Sequence, residues 1–575
     1  MQASRPAPQT SALTFPKLAL LSSERYLIGA HIFIALAALS VGILMGPFQT
    51  FRRSPAFMEA WKQIFDQTFN IPIFSYYYQA LTAHGVMNAL FFTTFFIVGF
   101  SYFTTQRSLE RPLRMPQLAW AGFWSMLIGL IFVMYTITSR QANVLYTFYP
   151  SMVAHPLFYI GLVLLVVGTW MATVVIWMTY IDWRRENPDK PSPLAVFATI
   201  ANYLMWCLAT IPVAIEILFM LLPLSFGWIT TTDPQVGRIL FWSFGHPLVY
   251  FWLIPAYVSW YTMLPKQTNS KLFSDPLARV AFLMLMVFSV PVGVHHLFSD
   301  PGVSSVAKGI HTIFTFVVAV PSFLTAFNIG AVLERAGRKR GAKGPFGWLV
   351  KQDWTNPVVA AQLCGMILFI AGGFSGIIQA SLTLNIALHN TSWVPAHFHM
   401  TLAGAVTLTY FGIIYWLVPM IRGRRLWSKK MALAQVYSWM IGMLIFGHGM
   451  GAAGLAGAPR RTDLGSAQYV TPDAIPWLNS SAIGGIVLMV SSILFYVNII
   501  GTLVASRQPV EEGGPIDTKG DPHAPVWFER WGFWVGLMCF LVLLAWGPVL
   551  VESLDFVNGF NTPGFDPASP IPLGQ

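Results

Sequence analysis

Charge is what this chain lacks most. Only 10% of its 575 residues are Asp, Glu, Lys or Arg, against about 25% in an ordinary soluble domain. Hydrophobic residues make up 55% and aromatics 15%, and the mean hydropathy is +0.59. A soluble protein of this size needs far more polar surface than this sequence offers. A disordered chain and a cytosolic enzyme are therefore excluded, and a polytopic membrane protein remains. Cysteine is scarce as well. Cys207, Cys364 and Cys539 each sit in an apolar stretch and none is spaced as a CxxC pair, which excludes a disulfide framework and a thiolate metal site. Residues 1–24 hold no long apolar run ending in a small-residue cleavage site, so no cleaved signal peptide is expected.

What the chain does have is long apolar runs. A membrane-spanning helix needs about 20 mostly apolar residues. Thirteen segments qualify: 26–45, 78–103, 118–135, 157–180, 194–222, 239–264, 280–298, 310–333, 358–382, 393–421, 431–455, 478–503 and 531–551. Their length and helical periodicity favour a helical bundle over a β-barrel. The fold expected is thus all-α, a polytopic bundle of about 13 transmembrane helices. The net charge of +11 could fit nucleic acid, but 26 of the 34 Lys and Arg residues fall on the N-terminus and every second loop. That asymmetry is a topology signal. It predicts a cytoplasmic N-terminus, an outer C-terminus and no nucleic-acid partner. The division expected is a lead-in over 1–25, a core of 13 helices over 26–555 and an extracytoplasmic tail over 556–575.

Ionisable groups inside a membrane are costly and mark function by default. Most of the twelve histidines fall in or beside predicted spans. A single buried histidine is more often structural; clusters change that balance. His246 and Tyr250 are four residues apart and share one helix face. His295 and His296 are adjacent, so they reach one ion only if their helix is distorted, which Pro291 and Gly293 allow. Three imidazoles on neighbouring helices suit copper or zinc. His397 and His399 lie about 200° apart on a helix. They face opposite sides and can serve two separate cofactors, and haem iron takes axial histidines. His84, next to Gly85, is a candidate opposing ligand, or a packed histidine. Arg460 and Arg461 match carboxylates such as haem propionates by bidentate bonds; the alternative is an ordinary interfacial pair. His389 precedes the tenth span at the same level. Glu216 lies well inside the fifth span, as a proton relay or as a buried hydrogen-bonded carboxyl.

Taken in order, His84, Gly245-His246-Pro247-x-Val249-Tyr250, His295-His296, His397-x-His399 and Arg460-Arg461 resemble subunit I of the haem–copper oxygen reductases across nearly the whole chain. With the stretches 144–150 (VLYTFYP) and 264–267 (LPKQ), the chain is most similar to the B-family, ba-type cytochrome c oxidases. The resemblance implies a catalytic subunit that reduces O₂ to water with electrons from cytochrome c and pumps protons. It implies that His84 and His399 ligate a low-spin haem b, that His397 ligates a high-spin haem of a-type, and that His246, His295 and His296 hold copper. Tyr250 would be joined covalently to His246 and would give an electron and a proton to O₂. Arg460 and Arg461 would hold haem propionates, with His389 near those of the high-spin haem. The proton path implied runs Ser274, Tyr261, Thr325, Ser322, Tyr257 and Tyr250; Tyr250, Tyr257 and Tyr261 form one helical stripe. The partners implied are a subunit II carrying a dinuclear copper centre, a cytochrome c, O₂ and membrane lipid. The location implied is a prokaryotic cell membrane.

Three positions depart from relatives. Leu248 stands where A-family members have Glu, so their main proton path is missing. Asn385 stands where the B-family has Asp near a haem propionate, and Asn328 where its path has Thr. The rival readings are a nitric oxide reductase, which lacks a tyrosine at position 250, a quinol oxidase, and a proton-coupled secondary transporter, which would carry no haem.

Overall fold

Thirteen helical segments follow one another in the order that the apolar runs predict. The structure is a computed structural model and describes residues 22–61, 63, 76–300, 302–463, 470–509, 516 and 521–559. Most of the expected lead-in and tail lies outside the described residues. We number the segments α1 (Ser22–Arg52), α2 (Tyr77–Leu109), α3 (Pro116–Thr138), α4 (Pro156–Glu186), α5 (Leu194–Ser225), α6 (Pro234–Gln267) and α7 (Asp275–Ser289). They continue as α8 (Ser305–Lys339), α9 (Pro357–Ala380), α10 (Trp393–Arg422), α11 (Lys429–Leu455), α12 (Pro472–Val504) and α13 (Trp531–Gly559). No β-strand occurs among the described residues.

Twelve of these helices are long and apolar enough to cross a membrane; α7 is the exception. Its 15 residues span about 22 Å at 1.5 Å per residue, short of the roughly 30 Å hydrocarbon core. The predicted seventh run, 280–298, is therefore half helix and half irregular chain. Pro291 lacks an N–H to continue the ladder, and the chain finishes in a 3₁₀ turn, Val294–His296. Irregular backbone at membrane depth is tolerated only inside protein, and Val290, Val292 and Val294 are fully buried. The freed carbonyls find donors. Trp546 on α13 gives its Nε1–H to Val290 O at 2.9 Å, and Asn385 gives its amide to His295 O at 3.3 Å.

The sequence also starts the helices. Asp233 accepts hydrogen bonds from Gln235 N and Val236 N ahead of α6. Asn356 caps α9, and Ser274, Ser304 and Ser428 cap α7, α8 and α11. A proline opens α6 and α9 at the first turn, where its missing N–H costs nothing.

Three helices form the centre. The buried share of the apolar window is 94% for α2 and 83% for both α6 and α10, but 22% for α13 and at most 50% for the others. Those three carry His84, the His246–Tyr250 pair and the His397–His399 pair. Their geometry changes there. A π-helical stretch begins just after His84 (Val86–Phe92) and another at His399 (His399–Val406). Such segments recur at functional sites. A third follows Glu216.

A candidate two-haem and copper centre

One interior cavity of 480 Å³ joins the predicted residues. Its walls include His84, His397, His399, His246, His295, His296, Tyr250, Arg460 and Arg461, and its size is in the usual range for a ligand site.

His84 and His399 face each other with ring planes 14° apart and centroids 5.8 Å apart. By comparison, Trp242 and His296 stack directly at 3.7 Å. The wider gap leaves the rings out of direct contact, and an ion bonded to both imidazoles at about 2 Å each needs the centroids only about half an ångström further apart. The Nδ1–H of His84 donates to Gly42 O at 2.8 Å, and that of His399 to Pro395 O at 2.7 Å. Each ring is thereby fixed in the tautomer that leaves Nε2 as a free lone pair. His397 follows the same rule, its Nδ1–H shared between Gly372 O at 2.9 Å and Ser375 Oγ at 3.1 Å. Gly376 makes the space for that ring, since a Cβ there would lie 2.6 Å from His397 Cε1. At Gly85 the group that approaches closely is the side chain of Tyr146, which a Cβ would meet at 2.8 Å.

His246, His295 and His296 bring one nitrogen each to within 4.8 Å of one another. A tetrahedral metal with imidazole bonds of 2.0–2.1 Å places donors about 3.3 Å apart, a spread that small side-chain rotations reach. The broken end of α7 allows this, because a regular helix would turn adjacent histidines about 100° apart. Thr315 directs its hydroxyl proton to His311 O at 2.6 Å, so its oxygen accepts from His295 Nδ1–H at 3.1 Å. His246 Nε2 and His296 Nε2 are buried with no hydrogen-bond partner. Unpaired buried nitrogens in a group of three suit a metal. The Tyr250 ring lies 5.0 Å from that of His246, centroid to centroid.

The two arginines sit between α11 and α12. Both Nε and Nη2 of Arg460 donate to Asn390 Oδ1, at 3.1 and 2.8 Å. Arg461 lies over the rings of Tyr146 and Tyr149. The acid nearest in sequence, Asp463, is taken by Arg52 at 2.6 Å. His389 does not line the cavity. It donates from Nδ1 to Asn385 Oδ1 at 3.2 Å and stands 3.9 Å from Asp300, which Arg238 pairs at 2.7 Å. Burial, then the charges of Arg460 and Arg238, holds the His389 imidazole down to about 4, so it is neutral at pH 7. Both oxygens of Glu216 are buried without a hydrogen-bond partner, so no protein donor supports the hydrogen-bonded alternative.

Of the predicted proton path, two hydroxyl pairs bridge α6 and α8. Tyr257 donates to Ser322 Oγ at 3.0 Å and Tyr261 to Thr325 Oγ1 at 2.9 Å. Ser322 also lines the cavity that Tyr250 lines. Ser274 is held differently: its backbone N donates to Asn328 Oδ1 at 3.2 Å and its carbonyl accepts from Asn328 Nδ2 at 2.7 Å. Asn328 thus ties α8 to the cap of α7. Thr325→Val keeps the shape and removes the acceptor for Tyr261. If this column carries protons, steady-state O₂ consumption in that variant falls several-fold with both haem spectra intact; full turnover and full pumping would remove the column from the mechanism.

Sequence reasoning missed the supporting groups: Gly42, Gly372 and Pro395 as carbonyl anchors, Thr315 behind His295, and Trp242 under His296. Backbone carbonyls carry no residue-type signal. Trp242, four residues before His246 on one helix face, was findable.

Comparison with known proteins fits this arrangement. The family model described as "Cytochrome C and Quinol oxidase polypeptide I" matches residues 26–487. Cytochrome c oxidase subunit 1 of Thermus thermophilus is 40% identical over 530 residues, covering 91% of this chain and 93% of that protein. Cytochrome c oxidase polypeptide 1 of Halobacterium salinarum is 26% identical, covering 74% of this chain and 70% of its own length. A cryo-EM structure of a heme-copper terminal oxidase dimer aligns with a TM-score of 0.87 at 37% identity, covering 96% of both chains. The ordered histidines, the cavity they share and these matches together make the chain a member of the cytochrome c and quinol oxidase polypeptide I family.

Proposed function

We infer that this chain reduces O₂ to water with electrons from a cytochrome c and couples the reaction to proton uptake and pumping. Its role as a catalytic oxidase subunit with haem and copper follows from the family. The observation that carries the finer reading is that three histidine sets, each with free Nε2 or unpaired ring nitrogens, open onto one cavity. His84 and His399 would hold a low-spin haem b, His397 a high-spin haem of a-type, and His246, His295 and His296 the copper. Bound there, the haems and copper would supply the redox chemistry that no side chain provides.

The chain's own residues orient and supply. Gly42, Pro395 and Gly372 hold three imidazoles in the ligating tautomer. Arg460 and Arg461 offer guanidinium forks to haem carboxylates. Tyr250 holds a phenolic proton beside His246, and the Tyr257–Ser322 pair offers a hydroxyl route towards it. Leu248, buried on α6, has no proton to pass. A subunit II with a dinuclear copper centre would deliver electrons, since the three cysteines form no such site. The expected location is a prokaryotic cell membrane, N-terminus inside.

Metal analysis of the purified complex with pyridine-haemochrome spectra tests the reading. Two haems and a copper lost on replacing His246, His295 or His296, together with turnover, are the result expected. Stoichiometric non-haem iron without copper at the triad would move the chain to the nitric oxide reductases, and turnover with quinol but not cytochrome c to the quinol oxidases.

A further inference from the structure

Arg53 follows the last residue of α1, and its place in sequence, one of two arginines at a helix end, reads only as a surface anchor. Its surroundings are different. The residue is 5% exposed and lines the same cavity as His84, Arg460 and Arg461. One Nη2 donates to Ser392 Oγ at 2.7 Å and also to Pro459 O. Its Nε is buried with no hydrogen-bond acceptor. Arg52, its neighbour, is neutralised by Asp463 through bonds of 2.6 and 3.2 Å. No carboxylate among the described residues lies within 4.0 Å of Arg53, Arg460 or Arg461.

A buried guanidinium with no counter-charge is costly. Arg53 is such a group, Arg460 and Arg461 stand half-exposed on the same cavity wall, and a planar fork selects carboxylate or phosphate. Position narrows the choice. Gly46 stands against His84, since a Cβ there would lie 3.1 Å from His84 Cε1. Arg53 is seven residues further on, one past the end of α1, and so about 10 Å beyond Gly46 along the helix direction. It therefore stands on the His84 side of the cavity, displaced along the bundle towards Pro459 and the arginine pair.

We propose that Arg53 is a third carboxylate-binding group for the haem held between His84 and His399, gripping a propionate from α1 while Arg460 and Arg461 approach from the loop after α11. The proposal rests on the ligand assignment above. Its consequence is electrostatic. A fixed positive charge in a low-dielectric interior favours the reduced form of a nearby haem, which carries one more electron. Arg53 thus raises the midpoint potential of the low-spin haem selectively.

Redox titration and redox-induced infrared difference spectra of the purified oxidase test this. Arg53→Gln should lower the midpoint potential of the low-spin haem, leave that of the high-spin haem in place and shift the propionate bands. Ser392→Ala removes one tether of Arg53 and keeps its charge, so it should leave the potential at the wild-type value. Arg53→Lys keeps the charge and loses the fork; it should hold the potential near wild type and still shift the propionate bands. That variant decides the matter if Arg53→Gln does not assemble. Wild-type potential and propionate bands in Arg53→Gln, wild-type bands in Arg53→Lys, or an equal potential shift in Ser392→Ala would each overturn the proposal and leave a structural tether. A wild-type enzyme with no six-coordinate low-spin haem would instead overturn the ligand assignment beneath it.

Discussion

Tyr250→Phe is expected to bind both haems and copper and to lose O₂ reduction by about 10²-fold or more, the range typical when a proton-donating side chain is removed. Phenylalanine keeps the ring and its packing against His246, where the two centroids lie 5.0 Å apart. Only the hydroxyl goes. Complete reduction of O₂ takes four electrons and four protons, and releasing peroxide is avoided only if the last of them comes from within reach. Tyr250 is the phenol one helical turn from a triad histidine, on the wall of the shared cavity. It can give both an electron and a proton, which no aliphatic neighbour can. Peptide mapping supplies a second readout. A His246–Tyr250 linkage removes one hydrogen from each ring, a two-electron oxidation for which O₂ is the oxidant. The linked peptide should be present in the wild type and absent in the variant. Near-wild-type oxygen consumption by Tyr250→Phe would leave this residue a packed tyrosine.

His84→Ala is expected to abolish the six-coordinate low-spin haem spectrum and, with it, turnover on cytochrome c. The His397 site and the copper triad should survive in part, because their anchors are separate. His397 hangs on Gly372 and Ser375 of α9, and the triad on α6, the end of α7 and Thr315 of α8. His84 hangs on Gly42 of α1. The loss should therefore be selective, seen as one haem retained per chain by pyridine haemochrome. The same selective loss is expected from His399→Ala. An unchanged low-spin signal in His84→Ala would show that the pair does not face a common iron.

How much of this was legible beforehand depends on what each feature is made of. The thirteen segments were readable because apolar runs of that length have few other uses, and the central three helices were marked by their histidines. The opposed directions of His397 and His399 followed from helical periodicity. The end of α7 was half readable: Pro291 and Gly293 signalled a distortion, but a 3₁₀ turn held by Trp546 and Asn385 depends on residues 256 and 90 positions away. Arg53 was hidden because nothing in the residue type separates a buried arginine at a helix end from an exposed one beside it. The pairing of Arg52 with Asp463, and the burial of Arg53 against Ser392 and Pro459, separate the two. Glu216 stayed open for a related reason, since whether a buried carboxyl has partners is decided by helices far apart in the chain.

The bond from Trp546 to the Val290 carbonyl also bears on how the protein is made. All three triad histidines have been synthesised by residue 296, yet the irregular chain that presents His295 and His296 is tied down by α13. α13 supplies the donor for Val290, and its Ala545 carbonyl accepts from His311 Nε2 at 3.0 Å, so it also steadies the α8 segment behind His295. The least buried of the twelve long apolar helices thus acts as a late fastener on the chain beside the triad. Ribosomes deliver it some 250 residues after the histidines it secures. Until then the Val290 carbonyl lacks its donor, and metal loading before α13 has docked would meet a less firmly held ligand pair. The order of the chain thus places the helix that ties down this backbone well after the histidines it supports.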